Sequence, residues 1–411
     1  MCQLDELIKQ NNKKNNQVLS IDADFLQVGS EFVDVDRKGK DRKWAERKAN
    51  AVKYAEKLQL VDELMRHRFG HGFSGDKLNN VSSCAEALMF RKNNDSMKLE
   101  HAFLCKDKMC PICQWRKSRK NGQIVRLIMS EFVNQYPKAR YLHVTFTAKN
   151  VKGIDLADGI KHLHKSWDRL QRRKKIQKFM LGFVRGTEVT YNAETDTYNQ
   201  HMHVLIAVKS CYFKADYIKQ VEWRELWQKA LQVDYLPIVN VQVVKANEKY
   251  NAEDVADLKI AISPALFSAI LEVCKYPTKP IDLKEITGEK EIEVLMYLQR
   301  GLKYKRQLGF GGELKSIKKE LSAKGYDLNE DELVVDAEKQ KETLQDSQRI
   351  FVRYLDNKQS YYVTYIKPLS IKEQELEMEL DKRLRYMKLC EELGRYSSFG
   401  LLSDMVNDWS I

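Results

Sequence analysis

The chain has 411 residues, of which 43% are hydrophobic and 31% are charged. This length is sufficient for two or three domains, each with its own core. No apolar run approaches the roughly 20 residues of a membrane-spanning helix, and the first residues, MCQLDE, lack the basic-then-apolar order of a signal peptide. The sequence therefore predicts a cytoplasmic protein and excludes one embedded in the bilayer.

Basic residues outnumber acidic residues by 70 to 58, which gives a formal net charge of +12. Much of the excess lies in two runs, residues 37–57 and residues 165–178, and each run contains a tryptophan. A single run of this kind is more often a solvated helix face than a binding surface. Two such runs, in a chain that also contains the candidate metal ligands described below, favour DNA or RNA binding. The candidate DNA-binding residues in the second run are Arg172, Arg173, Lys174 and Lys175.

Residues 1–36 are polar and predict a flexible N-terminal arm. Residues 37–125 form the next region, which is basic and helical at first and then rich in cysteine. Residues 126–285 alternate strands and helices and form the central region. A helical extension is predicted for residues 286–345, and a β-hairpin followed by a long helix is predicted for residues 346–411.

Four cysteines in the second region are candidate ligands of a structural zinc ion: Cys84, Cys105, Cys110 and Cys113. Disulfides are not expected in the cytosol, and a Cys-x2-Cys turn is typical of zinc sites. His101 is an alternative ligand, and buried free thiols are the competing interpretation. A redox role is weaker because no βαβ pattern surrounds the turn. If zinc binds, the basic residues that follow would be held against DNA: Arg116, Lys117, Arg119 and Lys120.

The central region begins with a half-buried strand at residues 139–148, and a helix is predicted from Asp155 to Met180. A second strand spans residues 181–191, and a polar turn leads into the segment QHMHVLIAV at residues 200–208. That segment has His201 and His203 two positions apart in a β-branched, apolar run. Residues i and i+2 of a strand share a face, so the two imidazoles would point the same way, as the start of a metal site.

His162 and His164 have the same spacing but lie in the predicted helix. Positions i and i+2 diverge by roughly 200° on a helix, so these two rings are predicted to be surface or packing residues. A packed pair of imidazoles is an equally good interpretation of His201 and His203 on spacing alone. The downstream sequence decides between the two.

Two histidines bind a divalent cation weakly, so a third ligand is expected on the neighbouring strand. Glu188 would lie opposite His203 if the turn is centred between Thr195 and Asp196, although a slip of one residue would turn it away. Two neutral imidazoles and one carboxylate suit Mn²⁺ or Mg²⁺, with Mn²⁺ the better match to nitrogen ligands.

A helix is predicted to follow at Phe213–Leu231 and a strand at Ile238–Val244. Another helix begins at Ser263, with Pro264 in its first turn. Glu272 and Tyr276 are then four residues apart on one face, and Lys279 follows. A tyrosine near a carboxylate, lysines and a metal site is a plausible nucleophile for a phosphodiester, although Pro277 favours an end or kink of the helix at this point.

Beyond residue 280 a glycine-rich segment, residues 309–312, lacks the Gly-Lys-Ser/Thr ending of a nucleotide-binding loop and is predicted to be a turn. A hairpin is predicted from Arg349 to Ile366, with its turn at Asp356 and Asn357. The fold class predicted from these elements is α+β, with an antiparallel sheet and flanking helices, a cysteine-rich zinc-type segment, helical extensions and a small C-terminal module.

The ordered motifs resemble those of the HUH endonucleases, and among them the Rep initiators of bacterial plasmids that replicate by the rolling-circle mechanism. The resemblance covers roughly residues 80–320. It rests on five segments in this order: CKDKMCPICQWRKSRK, YLHVTFT, RGTEVTY, QHMHVLIAV and LEVCKYPTK. A lone His-x-His pattern has little specificity, whereas these segments in this order are specific.

The resemblance implies cleavage of one strand of origin DNA at a hairpin. Tyr276 would attack the phosphodiester, remain joined to the 5′ phosphate and release a 3′-hydroxyl that primes synthesis. Glu272 would activate water for the terminating cleavage, and Lys279 would stabilise charge. Host helicase, DNA polymerase and single-strand-binding protein are the implied partners, in a bacterial cytoplasm, and a homodimer is left open.

Two alternatives remain. A conjugative relaxase or HUH transposase would share the metal site and the tyrosine, but the cysteine segment and the spacing of Glu272 and Tyr276 argue against it. A zinc-stabilised DNA-binding regulator without catalysis would make His201, His203 and Tyr276 structural. Formation of a covalent protein–DNA adduct would separate the two classes.

Overall fold

The computed structural model describes residues 26–36, 39–93, 97–214, 216–244, 262–275, 288–331, 333 and 347–392. The helices are α1 (Trp44–Phe69), α2 (Gly75–Ser82), α3 (Pro111–Gln135), α4 (Leu156–Gln171), α5 (Lys174–Gln177), α6 (Gln220–Leu231), α7 (Pro264–Val273), α8 (Glu289–Leu302), α9 (Glu313–Ala323) and α10 (Ile371–Glu392). The strands are β1 (Glu31–Phe32), β2 (Ala87–Lys92), β3 (Met97–Ala102), β4 (Arg140–Thr147), β5 (Met180–Asn192), β6 (Thr197–Val208), β7 (Val239–Val244), β8 (Leu308–Gly312), β9 (Ser347–Leu355) and β10 (Ser360–Leu369).

The chain divides into two compact units. The central unit comprises Trp44–Glu86 and Ala102–Lys339, and the terminal unit comprises Met1–Lys43, Ala87–His101 and Gln340–Ile411. The five regions drawn from the sequence stay a prediction, since compact units need not coincide with independently folding domains.

The central unit is built on a five-stranded antiparallel sheet in the order β7-β4-β6-β5-β8. The strand β6 is in the middle, and alternate residues bury opposite faces. Leu205 and Ala207 pack with α3, α7 and α9 on one face. On the other face, Met202, Val204, Ile206 and Val208 pack with α4, α5 and α6. The predicted α+β class, with an antiparallel sheet and flanking helices, is confirmed.

The glycine-rich segment is not a turn, as the sequence predicted, but the edge strand β8, which pairs with β5. A Cβ atom on Gly311 would lie 2.1 Å from the ring of Phe183, so the missing side chain makes room for this ring. Two predicted helices also begin or end elsewhere. The helix predicted from Phe213 begins at Gln220, after a 3-10 turn at Ser210–Phe213. The helix predicted to reach Met180 is divided into α4 and α5.

The terminal unit has its own five-stranded sheet, in the order β1-β10-β9-β2-β3. The predicted hairpin is present as β9 and β10, and Leu355 pairs with Ser360 beside the turn. The strand β1, in the segment assigned to an N-terminal arm, pairs with β10. In this unit Arg349 bridges Glu100 and Glu377, with its Nε atom 2.7 Å from Oε2 of Glu100 and its Nη2 atom 2.6 Å from Oε2 of Glu377.

Over the described part of the chain, no helix has both the length and the apolar character needed to cross a bilayer.

Candidate metal centre and nucleophile helix

The β5–β6 hairpin brings the predicted ligands together. Glu188 pairs with His201 and Gly186 pairs with His203, so the predicted pairing of Glu188 with His203 is wrong. The turn is centred one residue earlier than expected, between Glu194 and Thr195, because β6 begins at Thr197, three residues before the predicted start. The error displaces the pairing by two positions, so Glu188 keeps its predicted face.

The three side chains converge on one point. The Nε2 atoms of His203 and His201 lie 3.1 Å and 3.5 Å from the same carboxylate oxygen, Oε2 of Glu188. The candidate ligand atoms all lie within 4.8 Å of one another. Glu188 is buried, and each imidazole keeps 12% of its side-chain surface exposed, so the group is sheltered but open on one side. A group of this kind can hold a metal ion.

Hydrogen bonds on the far side of each ring orient the imidazoles. Nδ1 of His201 lies 3.3 Å from the carbonyl oxygen of Asn199, and Nδ1 of His203 lies 3.2 Å from Oγ1 of Thr145. A carbonyl can only accept, so Nδ1 of His201 donates to the carbonyl oxygen of Asn199. This is the outer hydrogen bonding that metal-binding histidines use.

Burial by itself raises the pKa of Glu188. Hydrogen bonds with His201 and His203 outweigh this effect and hold the pKa well below its usual range. The carboxylate is therefore ionised at neutral pH, in the form that binds a cation.

His143 is a neighbour that the sequence analysis did not select. Its ring lies on β4 and stacks on His203, with centroids 5.5 Å apart and planes 10° apart. Burial, with the charge of His203, lowers the pKa of His143 to about 4. The signal was present in the alternation of β4, which places His143, Thr145 and Thr147 on one face. Once β4 pairs with β6, Thr145 lies opposite His203.

His162 and His164 diverge as predicted. His162 is exposed, whereas the half-buried His164 contacts Oγ1 of Thr187 through Nε2 at 2.8 Å. Burial, followed by the charge of Arg185, lowers the pKa of His164 to about 3. Thr187 and Glu188 are successive strand residues, so their side chains point to opposite faces of the sheet. His164 therefore belongs to the packing on the other face.

The helix α7 begins as predicted. Oγ of Ser263 accepts a hydrogen bond from the backbone nitrogen of Leu266 at 3.2 Å, and Pro264 is in the first turn. The helix ends at Val273, so Glu272 is on its last turn. An oxygen of Glu272 lies 2.5 Å from Nζ of Lys275. Tyr276 and Lys279 lie outside the described residues.

Three elements hold the end of α7. The carbonyl oxygen of Val273 lies 2.0 Å from where a Cβ atom on Gly186 would be, so only glycine allows this approach. Ser118, on α3, donates a hydrogen bond from Oγ to the carbonyl oxygen of Cys274 at 3.0 Å. The side-chain amide of Gln307 donates to the carbonyl oxygen of Lys275. Because Gly186 pairs with His203, these contacts bring the end of α7 beside the metal-ligand group.

The four cysteines also come together, at the start of α3. Successive Sγ distances are 3.6 Å, between Cys84 and Cys113, Cys105 and Cys113, and Cys110 and Cys84. Four sulfurs at zinc–sulfur distances of about 2.3 Å in a tetrahedron would be about 3.8 Å apart. A disulfide would require a distance of about 2.05 Å. The cluster therefore fits a tetrahedral ion, and His101 is not part of it.

Neighbouring groups stabilise the cysteine cluster. Hydrogen bonds from Cys105, Cys110 and Cys113 hold the pKa of Cys84 below its ordinary value. Nζ of Lys48 donates to the carbonyl oxygens of Cys84 at 2.9 Å and Ser82 at 3.0 Å. The lysine thereby fixes the first ligand's backbone to α1.

Three of the four basic residues after the cluster contact the segment 327–333. Nε of Arg116 donates to the carbonyl oxygen of Leu333 at 2.7 Å, and Nζ of Lys120 lies 2.8 Å from Oδ2 of Asp327. Nζ of Lys117 lies 2.8 Å from Oδ1 of Asp331. Three of these residues therefore have partners within the protein, and the role of the basic tail in DNA binding stays a prediction. In the second basic run Arg172 and Lys174 are exposed, Arg173 is half-buried, and Lys175 pairs with Glu222.

The sequence profile of a family described as "Replication protein" matches residues 96–363. The chain belongs to this family. Relatives named "Protein rep" include one from Lactiplantibacillus plantarum, 36% identical over 335 residues, which cover 81% of this chain and 98% of the relative. Another, from Streptococcus pneumoniae, is 39% identical over 298 residues, which cover 71% of this chain and 83% of the relative. No solved structure matches. Membership of this family confirms the resemblance to plasmid Rep initiators that the sequence motifs indicated.

Proposed function

We propose that this replication protein nicks and rejoins one strand of its plasmid origin, with Tyr276 as the nucleophile. The observation that carries the proposal is the convergence of Glu188, His201 and His203 on one point beside the end of α7. Tyr276 follows Lys275 directly in the sequence, so the geometry of the described residues favours a tyrosine close to that point. The substrate would be single-stranded or hairpin DNA.

Two imidazole nitrogens and a carboxylate oxygen are the donor set for Mn²⁺ or Mg²⁺, and Mn²⁺ matches nitrogen better. A bound cation would polarise the scissile phosphate and neutralise its charge. The role of Glu188 is to supply a negative oxygen between the two imidazoles. The role of Thr145 and Asn199 is to hold the rings so that both Nε2 atoms converge with the carboxylate of Glu188 on the proposed cation position.

In the nicking step the phenol oxygen of Tyr276 bonds to phosphorus while the bond from phosphorus to the 3′ oxygen breaks. The phenol gives up its proton and the departing 3′ oxygen takes one up, so the products are a 5′-phosphotyrosine ester and a 3′-hydroxyl. The ester conserves the energy of the broken bond, so a later 3′-hydroxyl can displace tyrosine and rejoin the strand. Lys279 would stabilise charge on the phosphate or the phenolate.

Glu272 would act when replication ends. Its carboxylate can accept a proton from water, which then attacks the second cleavage site without forming a new ester to the protein. The contact with Lys275 holds this carboxylate at the end of α7. The cysteine cluster would hold a structural Zn²⁺, because four thiolates close the coordination shell and leave no position for substrate.

The test is incubation of the full-length protein with single-stranded origin DNA and a Mn²⁺ or Mg²⁺ salt, followed by denaturing electrophoresis. The wild type should form a covalent adduct, and Tyr276→Phe should form none. Glu272→Ala should nick normally but fail to terminate. An adduct that persists in Tyr276→Phe would overturn the assignment of the nucleophile, and no adduct at all would favour the non-catalytic regulator.

The function predicts further partners. Host helicase, polymerase and single-strand-binding protein would act on the nicked strand, and the bacterial cytoplasm would be the location. A homodimer is compatible with the proposal, which needs only one tyrosine for each cleavage.

A further inference from the structure

The loop at residues 303–306, between α8 and β8, exposes an aromatic ring. Tyr304 is 89% exposed, the largest fraction among the exposed large hydrophobic residues of the described chain. The ammonium group of Lys303 lies beside the ring, with its Nζ atom 5.1 Å from the ring centroid. Single exposed apolar residues are common, so exposure alone identifies no site.

The backbone of the loop is the second observation. Tyr304 has a φ angle of +58°, in the left-handed region that bulky side chains rarely adopt. Nζ of Lys108 holds the conformation by donating to the carbonyl oxygens of Leu302 at 2.5 Å and Lys305 at 2.6 Å. A strained residue persists only when its surroundings enforce it, and such residues cluster at ligand sites. Here the enforced conformation keeps a tyrosine ring in water.

The charge of the loop is the third observation. Lys303, Lys305 and Arg306 flank the ring, and no acidic partner occurs for them among the described residues. Cations beside an exposed aromatic ring match a strand of nucleic acid, with phosphates for the cations and a base for the ring. A protein partner would more often require a contiguous apolar patch, which this loop lacks.

The loop is connected directly to the candidate catalytic site. The next residue, Gln307, accepts a hydrogen bond from the backbone nitrogen of Thr187 at 3.0 Å, and Thr187 adjoins Glu188. The side-chain amide of Gln307 donates to the carbonyl oxygen of Lys275, which precedes Tyr276. A strand lying across the metal-ligand group would therefore pass close to this loop.

We propose that Tyr304 is a stacking platform for an unpaired base of the DNA strand that enters the catalytic site, with Lys303, Lys305 and Arg306 neutralising adjacent phosphates. This inference rests on the proposed function for its substrate class and adds the residue that receives the base. Stacking is possible only for an unpaired base, so the platform would also favour single strands over duplex.

The test measures binding of the full-length protein to a short fluorescein-labelled oligothymidine by anisotropy. Tyr304→Ala should weaken binding about tenfold, whereas Tyr304→Phe and Tyr304→Trp should stay near wild type, because stacking needs the ring and not the hydroxyl. Tyr217→Ala is the matched control, since Tyr217 is 55% exposed in the same unit. Binding of a duplex should be unchanged in all four variants.

A second measurement locates the contact. Photo-crosslinking of an oligothymidine that carries 5-iodouracil, followed by mass spectrometry, should identify the peptide with Tyr304. The proposal would be overturned if the Tyr304→Ala variant bound the oligothymidine as tightly as the wild type does, or if the wild type crosslinked only through other peptides. Saturating origin DNA should restore the rate of adduct formation in Tyr304→Ala, because the platform acts in binding.

The two proposals can fail separately. Wild-type protein that crosslinks through Tyr304 but forms no adduct would overturn the nicking function and leave the platform intact. Wild-type protein that forms the adduct while Tyr304→Ala binds normally would overturn only the platform.

Discussion

The two candidate metal sites differ in how the chain builds them. Glu188, His201 and His203 come from adjacent strands, whose pairing fixes their positions, and they leave one side open. The four cysteines come from a loop, a short turn and the start of α3, and their sulfur atoms surround one position that could hold an ion. An open set of nitrogen and oxygen ligands suits catalysis, whereas a closed sulfur set suits structure. The comparison predicts that loss of one site removes chemistry and loss of the other removes the fold.

The largest effect is expected at the cysteine cluster. Cys113→Ser should abolish zinc binding and lower the free energy of unfolding by several kcal/mol, because binding energy at a structural zinc site is folding energy. Native mass spectrometry gives the zinc content, and denaturant titration gives the stability. Cys211→Ser, at an exposed free cysteine, is the matched control and should change neither. Wild-type stability in Cys113→Ser would show that the cluster is not structural.

The opposite result is expected at the strand site. His203→Ala should lower the rate of adduct formation about 1,000-fold, or about 4 kcal/mol in activation free energy, with little change in the unfolding midpoint. A gel assay at several Mn²⁺ concentrations measures the rate. His162 and His164 have the same spacing as the ligand pair but lie on a helix, and we call them the look-alike pair. His162→Ala removes the exposed imidazole of this pair and should retain full activity. Equal losses in the two variants would contradict the assignment of His203.

Gly186 connects the strand site to α7, so its substitution should affect chemistry and packing together. A methyl group in Gly186→Ala would meet the carbonyl of Val273, and relief of that clash would move the end of α7. We expect adduct formation to slow about 10-fold to 100-fold and stability to fall by about 1–3 kcal/mol. Gly75→Ala is the control, because nothing lies within 4 Å of its added methyl group. An unchanged rate in Gly186→Ala would show that this contact does not position the nucleophile.

Much of this architecture was predictable from periodicity. The alternation of β6 gave the correct faces for His201, His203 and the apolar residues, and the Ser263–Pro264 pair gave the start of α7. The pairing partner of Glu188 was not predictable, because the register of a hairpin depends on the length of its loop, and the polar residues before His201 do not show where β6 begins. The glycine-rich strand β8 was missed because its stability comes from Phe183 and β5 and not from its own side chains. The contacts of Arg116 and Lys120 were missed because their partners are more than 200 residues away.

The smallest effect concerns the look-alike pair, where His164 should influence stability without influencing chemistry. Its folded-state pKa of about 3 is below the ordinary value of 6.5, so the unfolded chain binds the proton more readily. Stability should therefore be complete above about pH 6.5 and fall as the pH decreases towards 3, by about 2 kcal/mol at pH 5. His164→Gln cannot titrate, so the part of the slope that His164 contributes should disappear. Denaturant titrations from pH 7 to pH 4.5 measure the difference, and His162→Ala should keep the wild-type slope. A slope in His164→Gln equal to that of wild type would show that burial of this ring does not control the acid sensitivity, and the distinction between a packing histidine and the ligand pair would need another basis.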